Sequence, residues 1–199
     1  MKNPHDLTRT PLGSSGGSGI AVAAAFAFIG VGTDTGGSIR SPSAATGIVG
    51  LKPTHGLIPR HGMFRLSRTL DHVGLFARTI EDLALLLEHA VGYDERDPAS
   101  RPRARIPYRE VAAEEPPLPP MLAFVKTARW STVDPDAPEA FAELAEVLGD
   151  RLEEVELSPA AEELAVDHRL VMEAELAVNL AREWDTGRDR LSASLRARI

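Results

Sequence analysis

Two glycine-serine clusters, GSSGGSG at Gly13–Gly19 and GTDTGGSIRSP at Gly32–Pro42, are joined by a run of small apolar residues. No other feature limits the fold of this chain as much. Loops this short, set between strongly apolar elements, are held in place rather than free to act as linkers. A serine hydroxyl is a weak nucleophile until a neighbour takes its proton and a nest of donors receives the developing oxyanion. In Thr35-Gly36-Gly37-Ser38 the absence of side chains at Gly36 and Gly37 lets consecutive amide N–H groups turn toward one point, so Ser38 would sit beside its own donors. Ser14, Ser15 or Ser18 of the first cluster could relay a proton, because the 24 residues from Ser14 to Ser38 let the chain fold back. Asp34 and Arg40 flank the second loop, and a charge-assisted pair between them would brace the turn.

The rest of the chain supplies the frame. Met1 to Leu12 is a polar leading loop. Alanine and apolar residues at Gly17–Phe28 predict a helix buried all round. Ile29–Thr33 is a short β-branched strand, which puts Ser38 in the turn at a strand end, where loops expose chemistry. Ser41–Thr46 predicts a short helix, Gly47–Leu51 a second buried strand and Pro53–Leu66 a loop. Thr79–Val91 predicts an amphipathic helix, N-capped by Thr79 with Glu81 and Asp82 in its first turn. Asp94 to Pro120 is proline-rich and charged and reads as an extended surface connection. Beyond it follow a strand at Leu122–Lys126, a helix at Pro135–Gly149, a strand at Glu153–Leu157 and a helix at Ala160–Trp184. The order predicts an α/β class: a mixed β-sheet core flanked by helices. Residues 121–199 would extend the sheet and the domain begun by residues 1–93, with 94–120 as the connection.

Composition excludes several classes of function. A formal net charge of −7 argues against a nucleic-acid surface. Arg101, Arg103 and Arg105 are proline-flanked, and Arg182, Arg188, Arg190, Arg196 and Arg198 are interleaved with acids or spread around a helix, as in a solvated surface. Zero cysteines exclude disulfides and thiolate chemistry and suit a reducing, cytoplasmic setting. The longest apolar run, Ile20–Val31, is too short to span a bilayer, so no membrane partner is expected. His5, His55, His61, His72, His89 and His168 show no ligand spacing, so no metal is expected. A base for Ser38 among these histidines stays open, although no GxSxG elbow is present. Gly30-Val31-Gly32 suggests a dinucleotide turn, but Thr35 breaks the GxGxxG spacing and no acidic residue follows at the required distance.

Taken together and in order, GSSGGS, GTDTGGSIR, GIVGLKPTHG and LDHVGLFART resemble the amidase signature family of serine hydrolases. The likeness covers about residues 3 to 100 closely and continues more loosely through LAFVKTARW. It implies the amidase signature fold, incomplete here, and hydrolysis of a carboxylic amide C–N bond through a serine acyl-enzyme, with a small-molecule amide as substrate and no cofactor. By position, Ser38 matches the nucleophile and Ser14 the bridging serine held by a cis peptide bond. Thr35, Gly36 and Gly37 match the oxyanion-hole segment, with Ser15, Asp34 and Arg40 supporting the site, and His72 falls in a packing motif. The family's third catalytic member is an upstream lysine that draws the proton from Ser38 through Ser14. The lysines here are Lys2, Lys52 and Lys126. Lys2 lies too close to Ser14 in sequence, and Lys52 belongs to the GLKPT motif, which is structural in the family. The expectation is an internal piece of a longer amidase. The alternative is an inactive remnant, or one piece of a split amidase or amidotransferase A-type subunit that needs a complementing upstream segment. Missing neighbours would also leave an apolar face and an open strand edge that drive self-association.

Overall fold

The computed structural model describes residues 1–127 and 129–199, the side chains of residues 159 and 162 aside. The chain forms two units, residues 1–114 with 169–199, and residues 115–168.

The first unit is built on a three-stranded antiparallel sheet. Strands β1 (Ile29–Asp34), β2 (Val49–Leu51) and β3 (His72–Ala77) lie in the order β1-β3-β2. Register pairs Asp34 with His72, Gly32 with Gly74 and Leu51 with Leu75. Side chains alternate across a sheet, and here each set meets a different layer. On one face Phe76 packs with Val22 of helix α1 (Gly16–Ala23) and with Ile39, which caps helix α2 (Arg40–Thr46). On the other, Leu75 and Ala77 pack with Ile58 and with Leu83 and Leu87 of helix α3 (Ile80–Ala90). Thr79 caps α3 by accepting from the Asp82 amide at 3.1 Å, a contact of the kind that stabilises a helix by about 1 kcal/mol.

Several elements depart from the sequence reading. The first helix ends at Ala23, not Phe28, because Ala25 takes a left-handed φ of 59° and the chain reverses there. Phe26 and Phe28 are therefore 85% and 82% exposed rather than buried. Strand β3 has no counterpart in the sequence pattern, since its residues are covered on both faces and show no alternation. Within the expected extended connection, Tyr108–Ala113 forms helix α4, and Tyr108 packs against the α3 side of the core. The helix predicted at Ala160–Trp184 is two: α6 (Pro159–Asn179) and α7 (Ala181–Gly187), separated at the buried Leu180. A last short helix, α8, covers Ala193–Arg196.

The second unit pairs β4 (Leu122–Phe124) with β5 (Leu152–Glu154) in parallel, Leu122 against Leu152. Parallel neighbours need a crossover, which helix α5 (Asp136–Leu148) provides. The rings of Phe124, Trp130 and Phe141 meet at 5.3–5.5 Å beside it. Among the described residues the strands pair as a three-stranded and a two-stranded sheet, where the strand-helix-strand order suggested one mixed sheet. Among the described residues no helix is long and apolar enough to cross a membrane.

Candidate active site

The site lies where the two glycine-serine clusters meet. The Gly13–Ser14 peptide bond is cis, and it leads into the first turn of α1. The next residue, Ser15, donates its amide N–H to the carbonyl oxygen of Ser38 at 3.2 Å. Its side chain is equally committed: Oγ donates to the Thr33 carbonyl and accepts from the Thr33 amide, both at 3.2 Å. Ser18 Oγ adds a bond to the Val31 carbonyl at 2.9 Å. The start of α1 is therefore stitched along β1, and this requires Gly32. A Cβ on that residue would stand 2.7 Å from Ser15 Oγ and 2.8 Å from the Phe76 ring. Of the three serines left open as proton relays, Ser15 and Ser18 have their hydroxyls on strand β1, while Ser14 is exposed and Ser38 half-buried.

Asp34 organises the loop that carries Ser38. Its fully buried carboxylate accepts from the amides of Gly37 at 2.7 Å, Ile39 at 3.1 Å and Arg40 at 3.4 Å. Arg40 adds a bidentate pair, Nε at 3.1 Å and an Nη at 3.0 Å. Burial alone would raise the pKa of this carboxyl, but the bonds from Arg40 and the loop amides outweigh it and hold the value at about 2.

This arrangement changes the expected donor nest. The Gly37 amide, at a φ of 122°, is taken up by the Asp34 carboxylate, which it shares with the Ile39 and Arg40 amides. Among the described residues the Gly36 and Ser38 amides reach no protein acceptor. Ser38's own amide was not among the donors anticipated from sequence.

Asp71 is the residue that sequence reasoning missed. It is 2% exposed and accepts from Thr35 Oγ1 at 2.6 Å, while its second oxygen accepts from the amides of Leu66 at 2.9 Å and Ser67 at 3.0 Å. Only its place in LDHVG next to His72 could have drawn notice; nothing local ties it to Thr35, 36 residues away.

Four of the basic side chains are held by partners of their own. Lys52 Nζ donates to His72 Nε2 at 3.2 Å, and His72 Nδ1–H donates to the Leu70 carbonyl at 2.6 Å, so the ring is neutral. Burial and then the Lys52 charge lower the His72 pKa, against the opposing bond to Leu70. His55 accepts from Arg60 at 2.9 Å, with its pKa also lowered, first by burial and then by Arg60. Lys126 pairs with Glu154 at 2.7 Å. None of these bonds joins a base to Ser14 or Ser38. No group of three or more metal-ligating side chains exists among the described residues.

An α/β frame thus carries a Gly-Ser loop that the Ser15–Ser38 bond ties to the segment after the cis Gly13–Ser14 peptide. The family model for amidases matches residues 1–196, and the chain belongs to that family. It is 41% identical over 185 residues to the A-type subunit of glutamyl-tRNA(Gln) amidotransferase from Gloeobacter violaceus, covering 91% of this chain and 37% of that one. Among solved structures, a chain of the vestigial protein complex linked to the origins of an s-triazine catabolic enzyme superposes with a TM-score of 0.89 at 30% identity, over 99% of this chain and 42% of that one. The native peptide amidase of Stenotrophomonas maltophilia gives 0.73 at 32% identity, over 94% and 39%. The chain thus spans less than half the length of these relatives.

Proposed function

We propose that these residues are the serine-bearing part of an amidase. Ser38 Oγ attacks the carbonyl carbon of a small-molecule amide, and its proton passes through Ser14 Oγ to a lysine outside this chain. The tetrahedral oxyanion is received by amides of the Thr35–Ser38 segment, those of Gly36 and Ser38 foremost. Collapse breaks the C–N bond as the base returns the proton to the leaving amine, and water then releases the acid from Ser38. The observation that carries this reading is the Ser15 N–H to Ser38 carbonyl bond, which supports a close approach of Ser14 to the nucleophile loop.

Lys52 and Lys126 are bound to His72 and Glu154, which supports a base supplied by a further segment. The similarity to an amidotransferase subunit favours a second reading of the same chemistry, with glutamine as the amide and an assembly as its setting.

The test is labelling with a fluorophosphonate probe, alone and with added polypeptide carrying the remainder of the fold. The expected result is labelling that depends on that polypeptide and is lost in Ser38→Ala. Labelling of the chain alone, again lost in Ser38→Ala, would put the base inside these residues. No Ser38 labelling under either condition overturns the amidase reading.

A further inference from the structure

We propose that Glu175, on helix α6, is a positioning residue for the nucleophile loop, acting through the turn at residues 66–71 and the Asp71 carboxylate on Thr35. This deepens the amidase reading and draws its functional weight from it, although the coupling itself is a property of the fold.

Three links connect the two ends. Glu175 takes hydrogen bonds from the hydroxyls of Ser67 and Thr69, and from the Thr69 amide at 3.0 Å. Those residues are 108 and 106 positions away in sequence. Asn179, one helical turn on, donates to the Leu66 carbonyl at 3.1 Å, so the same helix face holds the turn twice. Leu176 and Leu180 are buried on this stretch, at 6% and 3% exposure, which anchors the helix.

The second link is the turn itself. Ser67 Oγ also accepts from the Leu70 amide at 3.1 Å, and the Asp71 amide bonds the Ser67 carbonyl at 3.0 Å. The turn is thus closed on itself, and the Asp71 carboxylate inside it receives the Leu66 and Ser67 amides.

The third link is the bond from Thr35 to Asp71, which fixes the residue that opens the Gly36-Gly37-Ser38 segment. A carboxylate at one end of this chain grips a turn whose own carboxylate grips the loop at the other. Burial raises the pKa of Glu175, but the bonds from Ser67 and Thr69 outweigh it and leave the value lowered, as for an acceptor that works ionised.

The test is hydrogen exchange of the native chain and of Glu175→Gln, Thr35→Val and the double variant, followed in peptides covering residues 33–40. Gln offers one acceptor oxygen in place of two and no charge. Either single variant is expected to speed exchange of the Gly37, Ile39 and Arg40 amides, the loop amides bonded to Asp34, by on the order of tenfold, the effect of losing one charge-assisted bond. The double variant should add little, because both changes cut one chain of contacts. Exchange in β3 and α3 should be unchanged.

If Glu175→Gln loosens only residues 66–71 and α6, leaving 33–40 as in the native chain, Glu175 merely docks its helix and the proposal falls. Additive effects in the double variant overturn it too. Ser38 labelling separates the two claims, since a chain that couples in exchange yet never labels refutes the amidase reading alone.

Discussion

Replacing Asp34 with Asn probes the centre of the nucleophile loop. The carboxylate receives three backbone amides and both arms of a bidentate Arg40 contact, with no exposure to solvent. Its pKa falls from an ordinary 3.8 to about 2, a preference of the folded state for the charged form of about 2 kcal/mol. The Arg40 side chain is 55% exposed, so its Coulomb share is screened, and the Arg40 hydrogen bonds followed by those of the Ile39 and Gly37 amides carry the lowering. Asn keeps the shape but removes the charge and one acceptor, and turns an NH₂ toward N–H groups. We expect a loss of about 2–3 kcal/mol at neutral pH. Because the folded pKa lies below the unfolded one, the carboxylate stabilises fully above about pH 4 and loses that contribution as pH falls through about 2. Urea unfolding of both proteins at several pH values between 7 and 2.5 reads the difference. The gap should be widest at pH 7 and shrink below pH 4, with the same denaturant slope for both proteins. A gap that stays constant across this range, or one below about 0.5 kcal/mol at pH 7, would refute the argument.

Three further outcomes follow from other contacts. Gly32→Ala should destabilise by about 1–3 kcal/mol, because its Cβ would press on Ser15 and Phe76 at 2.7 and 2.8 Å, and it should cost more than Gly30→Ala, whose nearest contact is 3.2 Å. Thermal melts giving the reverse ranking would contradict the packing described. Arg60→Met should cost about 3–5 kcal/mol in urea titrations, since it strips the buried Asp97 of its guanidinium partner at 3.2 Å; a loss under about 1 kcal/mol would mean that water replaces the guanidinium. Replacing Phe26 and Phe28, 85% and 82% exposed, with Ser should reduce concentration-dependent light scattering while leaving stability within about 0.5 kcal/mol. Unchanged scattering would separate this patch from any self-association.

What could be read from sequence was local, and what could not be read was reciprocal. Helix α3 was legible because Thr79, the acidic first turn and an apolar stripe all point the same way. The end of α1 was not, because the left-handed residue is Ala25 rather than a glycine, so no breaker marks the reversal. Strand β3 carries no alternation because helices cover both faces of its stretch of sheet.

At the site, residue types singled out Ser38 and the glycines as candidates and left Ser14, Ser15 and Ser18 open as relays, yet the direction of each amide was not in the pattern. Two glycines allow an N–H to face many ways; the acceptor that Asp34 offers decides that Gly37 turns inward. The same carboxylate takes the Ile39 and Arg40 amides, and Asp71 holds Thr35 from the other side. With their neighbours fixed by two buried carboxylates, the Gly36 and Ser38 amides are the two that no protein acceptor claims among the described residues. Donors held this way need little rearrangement when an oxyanion forms, which is the condition for electrostatic stabilisation of a transition state. On the proposed amidase reading, Asp34 would therefore serve the chemistry by occupying the Gly37, Ile39 and Arg40 amides, which must not compete for it.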